Sequence, residues 1–242
     1  MGKIWLIARR ELAAYFTTWM GYILLAAALL IEGLLFNSYA IGDSPKFSAD
    51  VLRDFFYFSS GVGMVVAMLL SVRLLAEEKQ AGTIVLFYTS PISERQLVYG
   101  KFLSAFIMYT ILQVISLYLP ALIFLEGKVS LGHLAAGYLG LLLLGAAVLA
   151  IALFASTIAS NQLMAGVLAA AITVTFLVLW LVSYRVDAPF RDILSYMSVH
   201  NERFRPFSIG VLHTRDIIYY LSMSCFFLEA SIKTLETRRL QG

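Results

Sequence analysis

The chain has 242 residues, of which 60% are hydrophobic and 14% are charged, and its formal net charge is +3. Ordinary globular proteins carry about 25% charged residues, so this composition argues against a soluble protein and indicates that the lipid bilayer is the solvent. It excludes a disordered tail and a free nucleic-acid-binding protein. The single cysteine, Cys225, excludes an internal disulfide.

The first predicted element is an amphipathic helix over residues 3–19. At 100° per residue its apolar side chains share one wide face, and Arg9 and Arg10 point away from that face. An apolar face opposed by basic residues is typical of a helix that lies in the membrane interface. The alternative is that this segment simply extends the first span.

Stretches that lack Asp, Glu, Lys and Arg predict six transmembrane helices, since each crossing needs about 20 apolar residues. The longest of these stretches, residues 134–184, exceeds one crossing and is expected to turn back at the polar segment 156–162. We therefore expect an all-α integral membrane protein with a single transmembrane domain over residues 1–242. The predicted spans are residues 20–41, 55–75, 102–125, 134–155, 163–184 and 216–233.

An even number of spans places both termini on the same side of the membrane. Ten of the 18 basic residues fall on that side, and the positive-inside rule assigns it to the cytoplasm. No cleavable signal peptide is evident, so the first span is expected to serve as an uncleaved anchor.

Glu32 is the outstanding charged residue within a predicted span. An ionisable group near the bilayer centre costs at least about 2.5 kcal/mol unless it has a partner. One interpretation is a substrate contact or gating group. The other is a protonated or hydrogen-bonded carboxyl group that binds a neighbouring helix, with Asn37 or Gln113 as its partner.

The predicted cytoplasmic loop, residues 76–101, carries ordered sequence signals. Ser93 and Gln96 have the spacing of a capping box, which predicts a short helix that begins near Ser93. Gly82 suits a helix end or a bend. A short capped helix on this face would suit docking onto a soluble partner, whereas the alternative is a solvated turn between two spans.

Several motifs of this loop and of the termini resemble type-2 ABC transporter permeases, in particular the gliding-motility and nitrous-oxide-reductase-accessory branch. The loop reads Glu-Glu-Lys-x-x-Gly-Thr from residue 77 and Ser-Pro-Ile-Ser-x-x-x-Leu-Val-x-Gly-Lys-Phe from residue 90. Arg-Arg-Glu-Leu from residue 9 and the entry into the last span near residue 215 also fit. The resemblance covers nearly the whole chain.

This resemblance implies a type-2 ABC permease fold that pairs with a second permease copy or paralogue and with two copies of an ABC ATP-binding subunit. ATP and Mg would bind to that subunit, because the chain lacks a Gly-x-x-x-x-Gly-Lys-Ser/Thr phosphate loop. No catalytic residue, cofactor or metal site is expected in the chain itself. The expected ATPase-coupling residues are Ser90, Pro91, Ile92, Ser93, Glu94 and Arg95, with Glu77, Glu78, Gly82 and Thr83 leading into them, and Arg9, Arg10 and Glu11 on the interfacial helix.

One position departs from the family pattern. The family often has an acidic residue where this chain has Val85, so an ionic contact with the ATPase at that point is not expected here.

The implied function is an ATP-driven permease subunit, with export as the expected direction, in a bacterial cytoplasmic (inner) membrane. The alternative is a force-transmitting or assembly subunit, of the gliding-machinery type, through which no cargo passes. Both alternatives place the chain among membrane lipid and involve no nucleic acid.

The outer loop, residues 185–215, contains Phe190, Ile193, Leu194 and Met197 at helical spacing, which predicts one amphipathic helix. Pro206 is expected to break any continuation of that helix. The loop is interpreted either as a lid or docking site for an extracytoplasmic accessory protein, or as a plug that holds the end of the helix bundle.

Overall fold

The structure is a computed structural model that describes residues 2–41, 46–83, 92–123 and 128–241, and within these ranges every regular element is helical. The side chains of residues 40, 240 and 241 are not described. The helices in chain order are α1 (Gly2–Thr17), α2 (Trp19–Leu35) with a π-helical turn (Phe36–Ile41), α3 (Ser48–Gln80), α4 (Glu94–Ser116), α5 (Tyr118–Ile123), α6 (Leu131–Ile158), α7 (Gln162–Ser183), α8 (Phe190–Met197), α9 (Arg205–Ser208) and α10 (Thr214–Gln241).

Five helical segments of the described chain are long and apolar enough to cross a membrane, where the sequence predicts six. They are Trp19–Tyr39, Ser48–Gln80, Glu94–Ile123, Leu131–Ile158 and Gln162–Ser183. The last helix, α10, is long enough but is not among them, because Glu229, Lys233 and several hydroxyl side chains lower its hydropathy. It packs along α6, and a sixth span at 216–233 stays a prediction.

Helices α1 and α2 are separate helices that meet at Thr18, where the backbone is extended (φ −105°, ψ 151°). The close approach of the end of α1 to the start of α2 depends on Gly21, because a Cβ atom there would lie 2.2 Å from the carbonyl oxygen of Tyr15. The Tyr15 hydroxyl donates to the Leu70 carbonyl of α3 at 2.9 Å. A break at Thr18 argues against the alternative in which residues 3–19 simply extend the first span.

Helix α6 lies at the centre of the bundle and packs against α3, α4, α7 and α10. Its glycines leave room for aromatic rings, since a Cβ at Gly145 would lie 2.2 Å from the Tyr109 ring and one at Gly137 would lie 2.2 Å from the Phe56 ring. In a membrane the hydrophobic effect does not drive helices together, so their association depends on close van der Waals packing, which small residues permit.

The regular helix of the third candidate span is interrupted at Leu117, between α4 and α5. Pro120 explains the position of this break, because its ring clashes with the carbonyl of the residue four positions earlier, Ser116, and it has no N–H to donate. The chain then turns between α6 and α7, where the Asn161 side chain caps α7 by accepting from the Met164 N–H at 2.9 Å.

The outer segment forms two short helices where the sequence predicts one. Helix α8 corresponds to the predicted amphipathic helix. Helix α8 ends at Met197, before Pro206. Pro206 lies in the first turn of a separate helix, α9, where a proline lacks only a hydrogen bond that the helix would not make.

Candidate functional site

The candidate coupling element is residues 90–95. Its Ser93 forms a capping box at the start of α4. The Gln96 N–H donates to the Ser93 hydroxyl oxygen at 3.3 Å, and the Ser93 N–H donates to the Gln96 side-chain oxygen at 3.3 Å. The predicted short, separate helix is wrong in one respect: the helix runs without a break from Glu94 to Ser116, because no residue in that range interrupts helical hydrogen bonding. Ser90 and Pro91 lie outside the described residues, as does Val85.

The lead-in to this element is the end of α3. Gly82 follows α3 with a φ of +70°, a conformation that glycine adopts without the steric cost of a Cβ. The Thr83 hydroxyl donates to the Glu78 carbonyl at 3.3 Å. Glu77 is exposed and lies 3.6 Å from Arg73, one turn earlier on the same helix.

Four charged side chains join α1, α3 and α4, and we call Arg10, Glu11, Glu78 and Lys101 the ionic junction. The Lys101 ammonium lies 2.7 Å from Glu78 and 3.1 Å from Glu11, and its side chain is 1% exposed. Arg10 lies 2.9 Å from Glu11 and 3.5 Å from Glu78. One buried cation therefore bridges two carboxylates that come from different helices.

The charge balance of the junction explains why Lys101 can be buried. A buried ammonium group without partners is very costly, and two carboxylates with a second, exposed cation offset that cost. Burial opposes ionisation of Glu11, but the nearby Lys101 and Arg10 outweigh it and hold the Glu11 pKa below its usual value. The Glu11 carboxylate is therefore expected to stay ionised at neutral pH.

Close packing reinforces the connection between α1 and α4. A Cβ at Gly100 would lie 2.8 Å from the Ile7 side chain and 3.1 Å from the Ile4 carbonyl oxygen. Because glycine lets α1 rest directly on the backbone of α4, these helices are expected to move together.

Helix α10 holds the other side of the coupling element. Arg239 lies 2.6 Å from Glu94 at the first turn of α4, and the Tyr99 hydroxyl donates to Glu229 at 3.0 Å. The Arg238 guanidinium donates to the Ile158 carbonyl at 2.8 Å. The C-terminal helix thus connects the start of α4 to the end of α6.

Lys79 and Ser156 join the end of α3 to the end of α6. The Lys79 ammonium donates to the carbonyls of Thr157 and of Ala159, the latter at 3.0 Å. The Ser156 hydroxyl oxygen accepts from the Ala76 N–H at 2.9 Å, and the same hydroxyl donates to a carbonyl of α3. The last carbonyl groups of a helix have no partner within the helix, and the Lys79 ammonium group supplies one at the C-terminal end of α6.

The structure brings together only some of the residues that the sequence singled out. Arg10, Glu11 and Glu78 meet in the junction, whereas Arg9 and Arg95 are exposed and Ile92 is half-buried at the loop edge. Sequence reasoning missed Lys101 as a member of the site and used it only as a topology signal. Its place in the Gly-Lys-Phe end of the loop motif was the available clue.

Glu32 lies in α2 and is 2% exposed, and among the described residues neither of its carboxyl oxygens has a hydrogen-bond partner. The amide of Gln113 is likewise buried and without a partner there. Asn37, the other suggested partner, is exposed in the π-helical turn. Glu32 is close enough to Tyr109 and Tyr138 for electrostatic interaction with their hydroxyl groups.

A second buried ion pair holds the outer segment. Arg203 lies 2.8 Å from Asp216, and their side chains are 4% and 0% exposed. The guanidinium also lies over the ring of Tyr196, 4.0 Å from its centroid, and donates to the Tyr196 carbonyl. Within the described ranges, no group of three or more His, Cys, Asp and Glu side chains is arranged to hold a metal ion.

Comparisons with known proteins place this helical bundle in a family. A search of curated proteins found no match to the chain. The model of a family described as "ABC-2 family transporter protein" matches residues 26–199. That match covers α3, α4, α6 and α7 and most of the residues that surround the candidate coupling element. The chain is therefore a multi-pass membrane protein that belongs to the ABC-2 family of transporter proteins as a permease component.

Proposed function

We propose that this chain is the permease subunit of an ATP-driven exporter in a cytoplasmic membrane, with both termini in the cytoplasm. ABC permeases generally pair with ATP-binding subunits, and in this proposal two copies of such a subunit, with ATP and Mg, drive a pair of permeases. Residues 77–95 and α1 receive the movement of the ATPase. Six spans, the sixth formed by α10, complete the subunit.

The ionic junction is the observation that carries this proposal. Glu78 and Lys101 lie at the two ends of the predicted loop and Glu11 belongs to α1, so one buried ion cluster joins both ends of the loop to the interfacial helix. A force that the ATPase applies to the loop would be transmitted to α1, α3 and α4 together. Buried ion pairs resist separation because each charge left alone in an apolar environment is costly, so the three helices are expected to respond as one unit.

The exposed residues around the junction supply a surface for the ATPase. Arg9 on α1, Glu77 on α3 and Arg95 on α4 are exposed, and Ile92 is half-buried. A combination of exposed charged residues and apolar residues is common at protein interfaces.

The test is co-purification of the permease with an ABC ATP-binding subunit from the cells that produce it. The variant Ile92→Ala/Glu94→Ala/Arg95→Ala is expected to lose both the bound subunit and the vanadate-sensitive ATPase activity. The matched control, Arg191→Ala, changes an exposed residue of α8 and is expected to keep both. Full binding and full activity in the triple variant would contradict the coupling assignment.

Two further measurements test orientation and cargo. In a Cys225→Ser background, Arg95→Cys should be protected from a membrane-impermeant maleimide in intact cells, and Arg191→Cys should react. The reverse pattern would overturn the proposed orientation. Stimulation of ATPase activity by a cargo in reconstituted vesicles favours transport, whereas a constant rate with every cargo favours the force-transmitting alternative.

A further inference from the structure

An apolar groove runs along the face between α2 and α3 and has a volume of about 960 Å³. It extends from Met20 to Leu35 on α2, a length of about 22 Å at 1.5 Å per residue. One leaflet of a bilayer has about 15 Å of hydrocarbon, half of the full thickness. The groove is therefore long enough for one acyl chain of a lipid.

A second cavity, of about 900 Å³, lies next to the outer end of this groove and is lined by both apolar and charged side chains. Tyr57 and His200 line both cavities, so the groove and the pocket lie side by side. An apolar groove next to a pocket that carries charged groups is complementary to an amphiphile, with its chain in the groove and its headgroup in the pocket.

The charged residues that line the pocket indicate which kind of lipid headgroup it would bind. Arg53 lies 3.1 Å from Asp54 and 3.2 Å from Asp50, and Lys46 lies 3.2 Å from Asp54, so these four charges balance one another. Among the described residues, Arg205 and Glu202 have no ion-pair partner, although Glu202 accepts a hydrogen bond from Ser195 at 2.5 Å. The pocket thus presents one unpaired cation and one unpaired anion, which match the phosphate and the ammonium group of a zwitterion.

Aromatic rings lie around the same pocket. Trp180, Tyr184 and Tyr57 line it, and the rings of Trp180 and Tyr184 meet edge to face with their centroids 5.6 Å apart. Aromatic faces attract quaternary and primary ammonium groups. Together with the Glu202 carboxylate they form a surface suited to the ammonium end of the headgroup.

We propose that the groove between α2 and α3 and the outer pocket form one binding site for a zwitterionic phospholipid with an acyl chain. The phosphate lies against Arg205 and the ammonium group against Glu202 and the aromatic rings. This inference rests on the proposed transport function where it names the substrate class, but binding itself needs no ATPase. A second permease copy that covers the same groove is the competing occupant.

The test is native mass spectrometry of the purified permease, without the ATPase, titrated with palmitoyl-lysophosphatidylcholine. Arg205→Gln removes a charged hydrogen bond to the phosphate, and Glu202→Gln removes the negative charge that attracts the quaternary ammonium group. Each variant is expected to weaken binding about tenfold. The matched control, Arg185→Gln, changes an exposed cation that does not line the pocket and should bind as wild type. Equal affinity in all of these variants would overturn the headgroup assignment.

Two probes of equal chain length test the headgroup chemistry. Palmitoyl-lysophosphatidylglycerol lacks the ammonium group, and hexadecyl maltoside lacks both charges. The proposal expects the zwitterionic lipid to bind most tightly and both probes to be insensitive to Glu202→Gln. Tighter binding of the anionic lipid, or equal binding of the maltoside, would overturn the assignment to a zwitterion.

Filling the groove tests the position of the chain. A Cβ at Gly61 would meet no atom within 4 Å, so Gly61→Phe occupies the groove without a backbone clash and is expected to abolish lipid binding. Gly166→Phe is the control, because it fills the neighbouring groove instead. If Gly61→Phe changes the oligomeric state but leaves lipid binding intact, the second copy is the occupant and the lipid site is wrong.

Discussion

The ammonium group of Lys101 lies 2.7 Å from the carboxylate of Glu78, across a loop that separates the two residues by 23 positions. The Lys101 side chain is 1% exposed and the Glu78 side chain is 15% exposed. Because both residues flank the candidate coupling element, this pair fixes the spacing of the helices that a partner ATPase would move.

Lys101→Met should destabilise the permease strongly, because it leaves Glu11 and Glu78 largely buried without their shared cation. Breaking a buried ion pair costs about 3–5 kcal/mol. Denaturant titration in detergent micelles measures the loss. Lys233→Met, at an exposed pair with Glu236, is the control and should cost about 1 kcal/mol or less. A small effect of Lys101→Met would show that solvation by water, and not the Lys101 charge, stabilises the two carboxylates.

Asp216→Asn should also destabilise the protein, by about 3 kcal/mol, since it leaves Arg203 buried with a neutral partner. Arg203→Lys is expected to be a poor replacement, because an ammonium group lacks the planar fork that reaches both Asp216 and the Tyr196 carbonyl. Thermal unfolding followed by intrinsic fluorescence measures both variants. Wild-type stability in Arg203→Lys would contradict this account of the site.

The stability of the outer segment should fall as the pH decreases below about 6.5. Burial lowers the pKa of His200, more than its contact with Asn201 raises it, and its ring lies 2.6 Å from the Ser60 hydroxyl. Because the folded state binds this proton less readily than the unfolded state, the contribution is complete above the unfolded pKa and is lost below it. The free energy of unfolding should differ less between pH 7.5 and pH 5.5 in His200→Asn than in the wild type. The exposed His213→Asn should behave as wild type.

Gly145→Ala should cost about 1–3 kcal/mol, because the added methyl group would lie 2.2 Å from the Tyr109 ring and must displace it. Gly61→Ala is the matched control, since its methyl group meets no atom within 4 Å. That control should be neutral or stabilise the helix by up to about 1 kcal/mol. Unfolding midpoints in one detergent compare the two variants, and equal midpoints would refute the close packing of α4 on α6.

The sequence predicted the helical membrane class, because a deficit of charged residues over long stretches has few explanations other than the bilayer. It also predicted the capping box at Ser93, a contact between residues three positions apart. A sixth span at residues 216–233 stays a prediction, because Glu229, Lys233 and several hydroxyl groups lower the hydropathy of α10. The sequence also predicted a short separate helix near Ser93, whereas α4 continues from Glu94 to Ser116 and carries Gly100 in close contact with Ile7 of α1.

Local composition determined the protein class, the helical periodicity and the caps, since each depends on residues a few positions apart. Only the tertiary structure decided which distant charges meet. Lys101 with Glu11, Arg239 with Glu94, and Arg203 with Asp216 are separated by 90, 145 and 13 positions, and their charges alone match many other partners. It also brought Arg205 and Glu202 into one cavity that lies next to an apolar groove. Helix packing selects these pairs, because burial in an apolar bundle makes each unpaired charge too costly to leave alone.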